Sequence, residues 1–198
     1  MPFLTFYGGI NEIGGNKILI EDKDVRVWFD FGQSFTYGAN YFVDWLMPRL
    51  IAGLKDHFEF GLLPKIPGLY HRDLLLKTDC KYTEPRFDAV FLTHAHVDHM
   101  AHIEFLDEKI PVYLGVAAKT FIECQETTTT GINYGEHDYK MFKTGGRIKI
   151  HHVDVEPIHV DHSIPAAYGF IIHTSEGAIV YTGDLRIHGP MAKMTEEF

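Results

Sequence analysis

The stretch from Asp88 to Met100 constrains this chain more than any other. Asp88 to Thr93 is a short, largely apolar run rich in residues that favour strands, so it reads as a strand buried in a sheet. Directly behind it come His94, His96, Asp98 and His99, three histidines and one aspartate within six residues. They therefore sit on a loop at the C-terminal end of that strand. Neutral imidazole and carboxylate are the donor types that first-row divalent metals accept. In an extended turn His94 and His96 point to one side, and Asp98 and His99 reach a second position close by.

The N-terminal part reads as an antiparallel meander. Phe3 to Tyr7 is a first strand, Lys17 to Glu21 a second, and Val25 to Asp30 a third, with Asp22 to Asp24 as a hairpin turn. Between the first two lies Gly8 to Asn16, with four glycines and two asparagines in nine residues, which marks a tight irregular loop. It is not a phosphate loop: it has no Gly-Lys-Ser/Thr ending and no helix begins there.

Residues 34–86 are the least regular. Ser34 to Phe42 is aromatic and loop-like, about residues 43–56 have helical spacing interrupted near Pro48, and Tyr70 to Leu76 reads as a short helical turn. A connection of this length is a lid, an interface or a small satellite core beneath a long loop. Beyond the histidine cluster, Met100 to Leu106 is expected to be a helix, with His102 on the surface. Pro111 to Leu114 reads as a parallel strand and Gly115 onward as a helix that Thr127 to Thr130 terminate. Residues 131–146 read as a polar surface loop, with His137 and Asp138 solvated. Arg147 to His152 and Val153 to Val160 alternate as strands, and His151 and His152 face opposite sides, so neither is assigned to a site. Tyr168 to His173 and Ala178 to Thr182 form a hairpin turning at Ser175 to Gly177.

Two further chemistry-bearing residues come after strands. His162 sits in Val160-Asp161-His162-Ser163-Ile164-Pro165, and Asp184 in Thr182-Gly183-Asp184-Leu185-Arg186. In layered α/β proteins such strand ends gather along one sheet edge, where sites form. His94, His96, Asp98, His99, His162 and Asp184 are thus candidates for one site.

The pattern His-x-His-x-Asp-His resembles the signature of the metallo-β-lactamase superfamily. Gly8, Gly9, Glu12, Ile13, Gly14 and Asn16 resemble the first-loop pattern of its β-CASP branch, as do the motifs around His162 and Asp184. That branch contains ribonuclease J-like enzymes and nucleases of messenger-RNA 3′-end processing. The resemblance implies an α/β fold of α+β-like layers, an αββα sandwich, and two divalent metal ions, zinc by the donor set with manganese compatible. It implies that His94, His96 and His162 hold one ion, Asp98 and His99 the other, and that Asp184 bridges both. Asp98 also accepts a proton, and Ser163 is a candidate substrate contact. The implied reaction is hydrolysis of RNA phosphodiester bonds by a two-metal-activated hydroxide, with single-stranded RNA as partner. The alternatives are another hydrolase of this fold, acting on a lactone, thioester or small phosphodiester, and a catalytically silent interaction subunit, which an incomplete ligand set permits; a homo-oligomer or a processing complex is a further partner expectation. Against the family pattern, a last histidine ligand, the β-CASP domain and the strands completing the second sheet are missing. Residues 1–198 are therefore expected to be the N-terminal part of a metallo-β-lactamase domain with a long insertion at about 34–86.

Composition limits the partners. The formal net charge of −9 opposes a general nucleic-acid binder. Two bound divalent ions would return about +4, all at the site, and attract a phosphodiester locally. No run is long enough to span a bilayer and no signal segment opens the chain, so the expectation is no membrane and a cytoplasmic location. The two cysteines, Cys80 and Cys124, fit no paired motif and read as reduced thiols.

Overall fold

Alternating and fully apolar runs build two sheets in this computed structural model, which describes residues 1–36, 47–196 and 198. In the first, β1 (Phe3–Gly8), β2 (Lys17–Asp22) and β3 (Val25–Phe31) form the expected meander. Three parallel strands, β4 (Ala89–Phe91), β5 (Val112–Gly115) and β6 (Tyr139–Phe142), extend it in the order β1-β2-β3-β4-β5-β6. Parallel strands covered on both faces read as continuous apolar runs, and all three residues of β4 are buried. The second sheet is antiparallel in the order β10-β9-β8-β7, made of β7 (Ile148–Ile150), β8 (Val153–His159), β9 (Tyr168–Thr174) and β10 (Gly177–Tyr181). Pro157 is tolerated in β8 because β7 pairs only with Val153 to Val155, leaving the proline's outer edge without a ladder partner.

Aromatic rings hold the two sheets together. Phe29, Phe91 and Tyr113 are register partners on adjacent strands, and their rings stack at 5.5 and 4.7 Å. Phe170 of β9 meets Phe29 at 5.5 Å, and both Phe91 and Phe142 at 5.7 Å, so one residue of the second sheet touches three strands of the first. Such pairs add roughly 0.5–1.5 kcal/mol each beyond the area they bury. Helix α1 (Lys55–Glu59) precedes β4, α2 (Val97–Met100) carries the end of the histidine cluster, α3 (Val116–Thr128) packs on β5 and β6 through Ala118 and Ile122, and α4 (Ala192–Glu196) comes after β10. Two sheets with flanking helices are the layers of the αββα sandwich that the resemblance implies. Among the described residues, no helix is long and apolar enough to cross a membrane.

Several expectations change. The helix after the cluster begins earlier, at Val97, and passes into a 3-10 turn over Ala101–Phe105. His102 is buried rather than exposed, at 2% of its surface, against His57 and Phe105. Residues 131–146 are not only a loop, because Tyr139–Phe142 pairs in parallel with β5; its alternation was hidden by Lys140 at the sheet edge. His137 is half-buried, with its ring on the Tyr134 carbonyl. His151 and His152 lie in the turn between β7 and β8 rather than in a strand. Residues 43–46 of the expected helix, and most of the aromatic stretch to Phe42, lie outside the described residues. The rest of that expected helix is a 3-10 turn at Leu50–Ala52 and the start of α1, separated by Gly53. Leu54, Leu63, Leu69, Tyr70 and Leu75 join the main core, so this segment forms no satellite of its own. Cys80 and Cys124 are both free thiols.

Two glycines bring the N-terminal loops against α2. A Cβ on Gly32 would stand 1.8 Å from the Asp98 carbonyl oxygen, and one on Gly14, whose φ is +75°, would stand 2.5 Å from the Asp98 Cβ. The close approach lets Asn16 N–H donate to the Asp98 carbonyl at 3.1 Å and Gln33 N–H donate to that of Val97 at 3.0 Å. Gly32→Ala should therefore cost about 1–3 kcal/mol or more in urea unfolding, because backbone has to move. Gly146→Ala, which meets nothing closer than 3.5 Å, should change stability by less than about 0.5 kcal/mol. Equal effects of the two would show that the approach of Gly32 to α2 is not tight.

Candidate metal centre

Five of the six strand-end candidates, His94, His96, His99, His162 and Asp184, come together in groups of donor atoms, and Asp98 stands beside them in neither group. His94 lies just beyond β4, His96 is the N-terminal cap residue of α2, and Asp98 and His99 lie in its single turn. His162 lies beyond β8 and Asp184 beyond β10, so both sheets contribute to the cluster. His94 Nε2 lies 2.9 Å from His96 Nδ1, and His162 Nε2 lies 3.2 Å from the same atom. Asp184 reaches two ways: its Oδ1 is 3.4 Å from His99 Nε2 and its Oδ2 is 3.7 Å from His162 Nε2. Asp98 Oδ2 stands 3.5 Å from His99 Nε2. Donor atoms of His94, His96 and His162 lie within 4.8 Å of one another, and so do those of His94, His99 and Asp184.

Burial sets the protonation of the cluster. His94 is pushed down to about 2 by burial first, and then by His99, His96 and His162. Burial likewise lowers His96 and His162. These imidazoles are therefore neutral, with ring nitrogens turned toward one another. Two facing nitrogens can share one proton, but three cannot all be satisfied that way. A cation bound at about 2.0–2.1 Å by tetrahedral nitrogens separates them by about 3.3 Å, close to the spacing seen. The donor set thus fits a divalent cation.

His99 behaves differently. Burial opposes its charge, yet the Asp30 and Asp184 carboxylates outweigh burial and hold it up at about 10. Asp184 is lowered to about 2, chiefly by its hydrogen bond with His99. Asp30 was not among the candidates. It is the extra residue of a bulge, since Lys17 pairs with Phe31 and Ile18 with Phe29, and its φ is +57°. A bulge re-aims a side chain, and aspartate is among the few residues that tolerate this region. The turned carboxylate accepts from Thr93 N–H at 2.8 Å, Thr93 Oγ1–H at 2.9 Å, Tyr181 O–H at 2.6 Å and His99 Nδ1–H at 2.7 Å. His99 Nε2 is thereby aimed at the cluster, with Asn16 Nδ2 3.2 Å away. Asp30 lies one residue before the end of β3 and Tyr181 is the last residue of β10, so both stand near the strand ends where the other candidates gather, but neither follows its strand as they do.

The cluster opens into a cleft of about 390 Å³ walled by Phe35, Val97, Phe121 and Gln125. Ser163 is exposed beside His162. His102, His137, His151 and His152 are not part of the cluster; His151 pairs with Asp88 and His152 with Asp22, each at 3.2 Å.

The beta-lactamase superfamily domain model matches residues 67–197. Ribonuclease J of Helicobacter pylori strain 26695 is 26% identical over 196 residues, covering 95% of this chain and 24% of that protein. Ribonuclease J of Sinorhizobium meliloti is 32% identical over 128 residues, 63% of this chain and 22% of that protein. The chain thus spans about a quarter of the length of these relatives. A crystal structure of a protein of unknown function from Enterococcus faecalis V583 superposes with a TM-score of 0.75 at 29% identity, over 98% of this chain and 46% of that one. The metallo-β-lactamase fold protein YhfI from Bacillus subtilis superposes with a TM-score of 0.55 at 17% identity, over 93% of this chain and 63% of that one, a likeness of fold alone.

His99 is raised from 6.5 to about 10, so the stability it supplies is complete below about pH 6.5 and is lost as pH rises through 10. In metal-free protein, Asp30→Asn should lower stability near neutral pH by about 3–5 kcal/mol. The gap from the parent should narrow toward pH 10, as urea unfolding across that range measures. A gap independent of pH would mean that Asp30 does not hold the charge on His99.

Proposed function

This chain belongs to the beta-lactamase superfamily, and we propose that its cluster is a two-cation hydrolytic centre that cleaves phosphodiester bonds of single-stranded RNA. The observation that carries the reading is Asp184, whose two oxygens face two adjacent donor groups, one toward His162 and one toward His99. His94, His96 and His162 would hold one ion, Asp98 and His99 the other, and Asp184 both; His94 also borders the second group. The cations, zinc by this donor set or manganese, would supply a water acidic near neutral pH and neutralise charge on the phosphoryl oxygens.

The residues do the rest. Asp98, on the cleft wall, receives the proton of the attacking water. Asp30 keeps the His99 ring in one tautomer, with Nδ1–H committed to the carboxylate and Nε2 to the site. Ser163, exposed and next to His162 in the chain, would donate a hydrogen bond to substrate. The ribonuclease J relatives favour a phosphodiester over a lactone or thioester, as does the first-loop pattern, whose Gly14 and Asn16 lie against Asp98 and His99.

The test uses the full natural protein. Metal analysis should find about two zinc or manganese ions per chain, and labelled single-stranded RNA should be hydrolysed. Fewer than about one ion favours a silent interaction subunit, and turnover of lactones or thioesters with RNA left intact sinks the substrate assignment. Asp184→Ala should lower hydrolysis by more than about 100-fold, since loss of even an outer partner of a metal ligand costs 10–100-fold. Activity within about threefold of the parent would remove Asp184 from the centre.

A further inference from the structure

Beside the metal centre runs a second, larger groove that the two-cation chemistry leaves without a role. Its volume is about 800 Å³, within the range of ligand pockets. Val116, Ala117 and Phe121 of α3 form one side, and His159 and Tyr168 of the second sheet form the other. The groove adjoins the metal cleft, with the Phe121 ring lining both. The His159 ring stacks on Tyr168 at 4.9 Å and 20°; Tyr168 is buried behind it against Phe142, so His159 and Phe121 are the partly exposed rings of the walls. Lys143, exposed at the edge, makes no ion pair among the described residues, and no carboxylate lines the groove. In a chain of net charge −9, a lane free of acidic groups and carrying one lysine is a local inversion of the surface.

We infer that this groove binds the nucleotides flanking the scissile phosphodiester of a single-stranded nucleic acid, with bases against the apolar and aromatic walls and a backbone phosphate at Lys143. This rests on the phosphodiester reading of the neighbouring centre. The groove's chemistry points the same way. Planar rings offer stacking that tolerates any base, and a cation at the rim tracks the phosphate, which is how single strands are bound without sequence readout. An acyl chain or apolar peptide would fill the walls but leave Lys143 without a counter-charge. Because Phe121 lines both, a strand in the groove would lie one ring away from the bond that the metal cleft would hold.

The experiment uses the full natural protein, with Ala117→Trp filling the groove from an exposed helix position and Lys143→Gln removing the rim charge. Binding of a fluorescein-labelled ten-uridine oligonucleotide is read by anisotropy, in the Asp184→Ala background to prevent cleavage. Ala117→Trp should weaken binding about tenfold or more. Lys143→Gln should reduce the slope of log affinity against log salt by about 0.7, the share of one phosphate contact to a single strand. With Asp184 intact, both variants should hydrolyse bis(p-nitrophenyl) phosphate as the parent does, because that small diester does not reach the groove. A 4-thiouridine oligonucleotide should crosslink to residues of α3 or to His159. If the parent binds and cleaves RNA while both variants bind it unchanged, or if crosslinks fall only elsewhere, the groove assignment is overturned and the ribonuclease reading stands. If the oligonucleotide is bound through the groove but no phosphodiester is hydrolysed, the reaction is wrong and the groove holds. If the parent neither binds RNA nor cleaves the small diester, both fall.

Discussion

Asp30 is the interaction on which the site depends. A carboxylate with no exposed surface is costly unless its lone pairs are taken. Here four donors from three elements take them: Thr93 by its N–H and its hydroxyl, His99 from α2, and Tyr181 from the second sheet. One residue therefore ties the end of β3 to the end of β4, to the motif helix and to β10. The left-handed backbone at Asp30 costs about 1–3 kcal/mol, a strain that four hydrogen bonds to a charged group outweigh. Without the bulge the side chain would point along the strand's ordinary alternation and miss His99.

Around that anchor the cluster divides by electrostatics. In the metal-free protein His99, between two carboxylates, is held as the cation, whereas burial among one another keeps His94, His96 and His162 neutral; a bound cation would take the place of the Nε2 proton of His99. The arrangement supplies neutral nitrogen donors on one side and a carboxylate-rich pocket on the other. On the proposed reading it also reconciles an acidic chain with a phosphodiester substrate, because the negative surface need not be reversed as a whole. The positive charge would then be local to the cations of the centre and to one lysine along a groove without acids.

Much of this was legible in the residues. The three-stranded meander, the buried strand before the cluster, the strand–helix unit at 111–128 and the final hairpin all lie where alternation and turn residues put them. The strand-end rule brought His94, His96, Asp98, His99, His162 and Asp184 to one place. Local reasoning failed for His102, because a single histidine after a short helix has no periodicity to reveal its face, and the change from α to 3-10 geometry at Ala101 rotates it inward. It failed for β6 because Lys140 and Met141 are exposed on an edge strand and the pattern looked like a polar loop. Within residues 47–86, the leucines that looked like a satellite belong to the main core, since local spacing does not say what a long connection packs against.

By itself the sequence determined which chemistry was present: imidazoles and carboxylates placed after strands, and glycines in the loops that had to lie close to them. Those are local facts, set by propensity and by which side chains can donate to a cation. Only the tertiary structure decided how the donors are shared. The contacts of the bulged Asp30, the two-way reach of Asp184 and the groove that adjoins the cleft at Phe121 each depend on residues many positions apart meeting across two sheets. Periodicity along a chain carries no information about such meetings, because they are set by how the sheets twist and pack on one another.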